Sequence, residues 1–409
     1  MFFVFLCTFV AQKKVMEQIK TLAAHYYQQV VEYRRHFHQQ PELSGKEKNT
    51  ADYIIKVLKS LQIPFVEPIS GYGVVALLQG NLQGNRTVAV RADMDALPIQ
   101  EVSNQSYCSC NHNVMHACGH DAHLACLLGV LHILNDLKDN FGGTVKAIFQ
   151  PSEEEYDGGA PFMIADGVLN NPEVDVIFGQ HVTPEINTGS IGIREGGFMA
   201  STDEIYLTVV GKGGHAALVN EVINPITGGM AILEKLQQFV KKENIENIPT
   251  VLVFGRFIAE GLTNLVPNEA KMAGTLRTFD EAWRENVLEN ITKIAQETAL
   301  QFGASCEVNI RKGYPVLTND PEVTRRVKGY ACDYLGEKNV IDLEPRMTAE
   351  DFAYYLQKKP GTFFRLGTGN ETEKKRHKLH SNNFDIDESA LETGVGLLSW
   401  IVMNELITK

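Results

Sequence analysis

The chain has 409 residues, 44% hydrophobic and 22% charged, and its 38 Lys and Arg against 50 Asp and Glu give a net charge of −12. This composition excludes disordered, fibrous and collagen-like chains, and the length suffices for two or three folding units with a sizeable core. The densest basic stretch is Lys374-Lys375-Arg376-His377-Lys378; nucleic-acid binding needs Lys and Arg spread over a whole face, so a small molecule or a protein is the expected partner.

The opening apolar run, residues 1–10, falls well short of the roughly 18 residues a spanning helix needs, so no membrane partner is expected. No Lys or Arg precedes it and Gln12-Lys13-Lys14 follow, which makes a signal peptide the lesser reading and residues 1–15 an N-terminal extension ahead of Met16. Seven cysteines, sparse and odd in number, fit a reducing, cytoplasmic setting better than a disulfide framework.

Apolar residues recur at helical spacing over 15–38, ending at Pro41, and Ser44-Gly45-Lys46-Glu47 reads as a capping box opening a second helix to about residue 61. β-rich runs follow at 74–78, 87–92, 144–149 and 174–178, with a helical stretch over 122–137. Strands alternating with helices predict an α/β fold, a mostly parallel sheet flanked by helices. Between 199 and 311 the order becomes strand (204–210), helix (225–242), strand (250–258), strand (270–279), helix (280–302), strand (305–310). That βαββαβ order predicts an inserted α+β domain, leaving 16–198 and 312–409 as one split domain around it.

In such sheets ligands bind beyond the carboxyl ends of the strands. Asp93 and Asp95 follow one strand, Glu153 and Glu154 another, and His181 a third. Cys118 and His120 straddle a glycine just ahead of a helix, in the run from His112 to His123 that holds four histidines. Thiolate, imidazole and carboxylate are the ligand types of transition metals. Of the adjacent glutamates, one can ligate a metal while the other holds the attacking water, as metal-assisted hydrolysis requires. Asp93 and Asp95 either touch the metal shell or orient its ligands from behind. Capping of the next turn is their plainer use.

Six segments together resemble the metallopeptidase-like amidohydrolase family, which includes hippurate hydrolase, N-acyl-amino-acid amidohydrolases, N-acetyldiaminopimelate deacetylase and auxin-conjugate hydrolases. They are Arg91-Ala92-Asp93-Met94-Asp95-Ala96-Leu97-Pro98, His116-Ala117-Cys118-Gly119-His120-Asp121, Phe149-Gln150-Pro151-Ser152-Glu153-Glu154, Gly213-Gly214-His215-Ala216-Ala217, Glu350-Asp351-Phe352-Ala353, and His380-Ser381 with Phe384-Asp385-Ile386-Asp387-Glu388. The resemblance runs in order over residues 17–405. It implies a two-metal catalytic domain with an inserted lid or dimerisation domain, and a homodimer through that lid. It implies Cys118, His120, Glu154, His181 and His380 as metal ligands, Glu153 as general base and Asp95 as support for the metal site. In the lid, His215 resembles a histidine that steadies the oxyanion or substrate carboxylate, and Asn264 and Arg277 resemble substrate-facing residues.

Two departures stand out. Glu155-Tyr156-Asp157 separate the glutamate pair from Gly158-Gly159 where the family runs through glycines, and Val219-Asn220 stand where many relatives carry Pro-His. Both bear on substrate preference and neither touches a proposed ligand. The expected activity is hydrolysis of N-acyl amino acids with two divalent ions, manganese or zinc ahead of cobalt or nickel. A dipeptidase or carboxypeptidase with the same centre is the alternative, followed by an inactive binding protein on this fold.

Overall fold

A computed structural model describes residues 2–370 and 377–407; Lys374, Lys375 and Arg376 of the basic run lie outside the described residues. The chain divides into two compact units, the first made of Met1–Gly196, Asn319–Glu344 and Tyr354–Lys409, the second of Gly197–Thr318 and Pro345–Ala353.

In the first unit the chain runs α1 (Phe2–Gln39), α2 (Lys48–Ser60), β1 (Phe65–Ile69), β2 (Gly73–Gln79), β3 (Leu82–Asp93), α3 (His120–Asp136), β4 (Gly142–Gln150), β5 (Val176–Asn187) and β6 (Ile191–Ile193). After the second unit it resumes with α4 (Pro321–Leu335), β7 (Val340–Asp342), β8 (Gly361–Gly369) and α5 (Ala390–Ile407). The backbone of the N-terminal segment is helical from Phe2 onward, continuous with the helix predicted from residue 15.

The eight strands form one sheet in the order β1-β2-β4-β3-β5-β8-β6-β7. Pairing is parallel through β4, β3, β5 and β8, and between β6 and β7. It is antiparallel for β1 with β2, β2 with β4, and β8 with β6. The predicted parallel sheet is therefore the middle of a mixed one. Every residue of β4 is buried, which is why that stretch reads as a near-continuous apolar run rather than an alternation. α1, α3 and α5 pack together over the sheet around Val30, Leu124, Leu128, Leu131, Val395 and Ile401, all at most 1% exposed; complete burial of such side chains contributes about 1.5–3 kcal/mol each. Among the described residues α5 is the one helix long and apolar enough to cross a membrane, and all of its residues but Glu392, Thr393 and Ile407 are buried.

The second unit is a four-stranded antiparallel sheet in the order Thr250–Ile258, Glu269–Thr278, Asp203–Val210, Ser305–Lys312, with helices Pro225–Glu243 and Glu281–Gln301. Along Asp203–Val210, every second residue is buried, the period-two signature of a sheet covered on one face. Asn224 and Asp280 cap the two helices, accepting from the amides of Ile226 and Trp283. A buried Arg284–Asp203 pair, at 2.7 and 2.9 Å, ties the second helix to the sheet.

Candidate metal centre

The site gathers beyond the ends of β3 and β4, as expected, but its third strand differs. β5 continues to Asn187, so His181 lies within it rather than just after it; the apolar run ends at Phe178, while pairing with β8 extends past His181. Backbone pairing carries the strand on through the polar residues.

The approach to α3 explains the Cys-Gly-His spacing. Gly119 is the residue before the helix and has φ +84°, a left-handed conformation that side chains disfavour. A Cβ there would also lie 2.3 Å from Val182 Cγ2. Through this turn Cys118 and His120 meet His181: their donor atoms, all three side chains buried, lie within 4.8 Å of one another. Cys118 Sγ is 3.3 Å from His181 Nε2 and 3.3 Å from His380 Nε2. His380 Nε2 is in turn 3.4 Å from Glu154 Oε1. His120 Nε2 stands 3.9 Å from Glu154 Oε1 and 4.0 Å from Glu153 Oε2.

The imidazoles are oriented from behind. His120 Nδ1 donates to the Asp95 carbonyl at 2.9 Å and His181 Nδ1 to the Val182 carbonyl at 2.7 Å, so each presents an Nε2 lone pair to the cluster. The His380 amide donates to the Ala117 carbonyl at 2.8 Å, bringing a residue 262 positions away beside Cys118. Asp95 Oδ2 accepts from the Glu154 amide at 2.9 Å. Asp93 is committed to His123 Nδ1 at 2.6 Å and to Arg91 Nη1 at 2.6 Å. His123, to which sequence reasoning assigned no role, accepts from the Val182 amide at 3.0 Å and thereby links Asp93 to the His181 strand. Its place in the histidine-rich run was the only available signal.

The donor set fits divalent cations. The buried His120 Nε2 has no hydrogen-bond partner, a costly arrangement unless something else satisfies it. Burial, followed by Glu154, pushes the Cys118 thiol up. Burial would lower His120, yet Asp93, Cys118 and Asp95 raise it well above its ordinary value, and hydrogen bonds to Cys118 and Glu154 raise His380 to about 10. Burial, with Arg365 and His123, holds His181 well below its ordinary value; His120 and His380 draw in positive charge from protons, the role a bound cation takes when it displaces them.

The sequence model described as peptidase family M20/M25/M40 matches residues 89–404. The chain belongs to this family. An N-acyl-L-amino acid amidohydrolase of Geobacillus stearothermophilus is 36% identical over 363 residues, 89% of this chain and 97% of that protein. Thermostable carboxypeptidase 2 of Saccharolobus solfataricus is 36% identical over 385 residues, 93% and 96% of the two chains. The crystal structure of a dinuclear metal binding peptidase of the M20 family from Bacillus subtilis matches with a TM-score of 0.82 and 33% identity, covering 94% of this chain and 100% of that one.

The lid residues named from the resemblance are in the second unit. Gly214–His215 pairs with Leu265–Val266, and the Ala216 amide donates to the Asn264 carbonyl at 3.0 Å, so His215 and Asn264 are neighbours there. Both are exposed. Arg277 lies on Glu269–Thr278, its Nη1 donating to the Met347 carbonyl at 2.9 Å.

Proposed function

We propose that this M20-family chain is a metal-dependent amidohydrolase that cleaves N-acyl amino acids to a carboxylic acid and a free amino acid. The observation that carries the reading is a buried carboxylate, Glu153, beside a convergent set of Cys, His and Glu donors. Cys118, His120, Glu154, His181 and His380 would hold two divalent ions, as the dinuclear relative supports. Manganese or zinc comes first, zinc for the soft Cys118 thiolate and manganese for the carboxylate and imidazoles, with cobalt and nickel behind them. When bound, the metals supply Lewis acidity toward the amide carbonyl and acidify the attacking water.

Glu153 does the proton work: its carboxylate takes a proton from water as the C–O bond forms and passes it to the amide nitrogen as the C–N bond breaks. The products are one carboxylic acid and one amine per water consumed. Asp95 keeps the pair in place by holding the Glu154 amide and, through its carbonyl, His120. In this reading the first unit is catalytic and the second a lid or dimerisation domain, with His215 steadying the oxyanion and Asn264 and Arg277 facing substrate. The protein acts as a homodimer in the cytoplasm, a location that the six free cysteines among the described residues support. The carboxypeptidase relative favours a second reading, cleavage of a peptide's C-terminal bond by the same chemistry.

A turnover screen separates the two: metal-reconstituted protein on N-acetyl and N-benzoyl amino acids and on dipeptides, with chelated protein as control. Preference for dipeptides selects the peptidase. Absence of metal-dependent amino-acid release on every substrate overturns the function.

A further inference from the structure

The Ser44-Gly45-Lys46-Glu47 quartet, which reads as a capping box, is put to another use. α2 begins at Lys48 with Glu47 as its N-cap residue, and no side chain of that residue caps the helix. Glu42 performs that task, its Oε2 accepting from the Thr50 amide at 2.8 Å and from Thr50 Oγ1 at 3.0 Å. Ser44 and Glu47 reach instead toward the loop that carries Glu153 and Glu154. Glu47, fully buried, accepts at Oε1 from the Ser152 amide at 2.8 Å and from Ser152 Oγ at 3.4 Å, and the Gly45 amide donates to Ser152 Oγ at 2.9 Å. Ser44 Oγ donates to Asp95 Oδ2 at 2.6 Å, the oxygen that also accepts the Glu154 amide.

One turn therefore restrains the main chain on both sides of Glu153. The restraint has a physical reason. Ser152 has φ +58°, a left-handed conformation that an L-residue disfavours. Left to itself the loop would relax toward negative φ and turn the following carboxylates away. Strain of this kind persists only where surrounding structure over-determines it.

We propose that Ser44 and Glu47 are positioning residues for the metal centre: by holding Ser152 and, through Asp95, Glu154, they aim the two adjacent glutamates. This rests on the reading of Glu153 as base and Glu154 as ligand. Three variants test it, Glu47→Ala, Glu47→Gln and Ser44→Ala, by calorimetric titration of the chelator-stripped proteins with Mn2+, by kcat and KM of the reloaded enzymes, and by thermal melting. Glu47→Ala is expected to weaken Mn2+ binding and lower kcat by about 10–100-fold, the usual effect of losing support behind a ligand, with KM little changed. Glu47→Gln keeps an oxygen for the Ser152 amide and restores both readouts close to wild type. Ser44→Ala, which loses one tether, falls between.

A merely structural role would lower the melting temperature and leave Mn2+ affinity and kcat of the folded protein intact, and that result overturns the proposal. So does a Glu47→Gln variant as impaired as Glu47→Ala. Should Glu47→Ala not fold, unchanged Mn2+ affinity and kcat in Ser44→Ala are the refutation. The titration needs no substrate: if wild type cleaves none of the amides, the functional reading fails while the Mn2+ affinities still decide this one.

Discussion

Replacing Arg34 by alanine removes a fully buried guanidinium from a cluster of three acids, of which Glu388 keeps Arg35 at 2.9 and 2.6 Å. Arg34 is fully buried in α1, with Nε 2.8 Å from Asp121 Oδ2, Nη2 2.8 Å from Asp385 Oδ1 and Nη1 3.2 Å from Glu388 Oε1. The side chain also lies over the Tyr107 ring at 4.8 Å. Without it Asp121 keeps His38 at 2.7 Å and Asp385 keeps the Tyr107 hydroxyl at 3.0 Å, neither of which replaces a permanent cation. Removing one partner of a buried ion pair costs about 3–5 kcal/mol, and Arg34→Ala should destabilise the first unit by that much at neutral pH. Arg34→Lys should lose less, since an ammonium keeps the charge and gives up the fork.

Guanidinium denaturation followed by fluorescence measures this. The chain has two tryptophans, Trp400 in the first unit and Trp283 in the second, so a Trp283→Phe background isolates the first. The pH dependence has a defined sign. Against its burial, Arg34 and His38 hold Asp121 well below the usual carboxylate range. That contribution to stability is fully present above the unfolded value of about 4 and is lost as pH falls below it. In the variant, burial without Arg34 raises Asp121, and protonation relieves the buried charge. The deficit of Arg34→Ala should therefore shrink from pH 7 toward pH 3. A deficit under about 1 kcal/mol at pH 7, below the range for a broken buried pair, or one that does not vary with pH, refutes the reasoning.

Glu153→Gln should lower kcat by about 10²–10⁴-fold, the usual value of a general base, while metal content measured by elemental analysis stays at wild-type stoichiometry; wild-type turnover would remove Glu153 from the mechanism. Gly119→Ala combines a left-handed φ with a 2.3 Å approach to Val182, so it should destabilise the fold by more than the roughly 1–2 kcal/mol of the backbone conformation alone and impair metal retention. A stable, fully loaded variant would contradict the turn geometry. Chelator-treated protein should melt at a lower temperature, and added Mn2+ or Zn2+ should raise it as the free energy of unfolding grows with the logarithm of free metal, by about 2.7 kcal/mol for one site at 100 times Kd. A melting temperature indifferent to both ions would deny the donor cluster its cations.

Much of this molecule is written in local pattern. The period-two run of 204–210 becomes a strand with alternate burial, and the helical period of 281–301 becomes a capped helix. Such elements are legible because their periodicity is imposed by the single face they bury. The end of β5 was not, since its ladder with β8 carries the strand on through His181 and Thr183 after the apolar run and the pairing with β3 have ended. Nor was the use of Ser44 and Glu47, whose spacing is the same whether they cap a helix or brace a loop a hundred residues on.

Residue types and their spacing set the available chemistry: soft thiolate, imidazole and paired carboxylate, placed next to strand ends and one helix start. Which of these groups meet is a matter of the fold. Cys118 and His380 are separated by 262 positions and lie 3.3 Å apart because the His380 amide bonds the Ala117 carbonyl. His120 and His181 aim their Nε2 atoms inward because carbonyls take the opposite nitrogens. Convergence is a property of backbone hydrogen bonds between distant segments, and no local spacing encodes it.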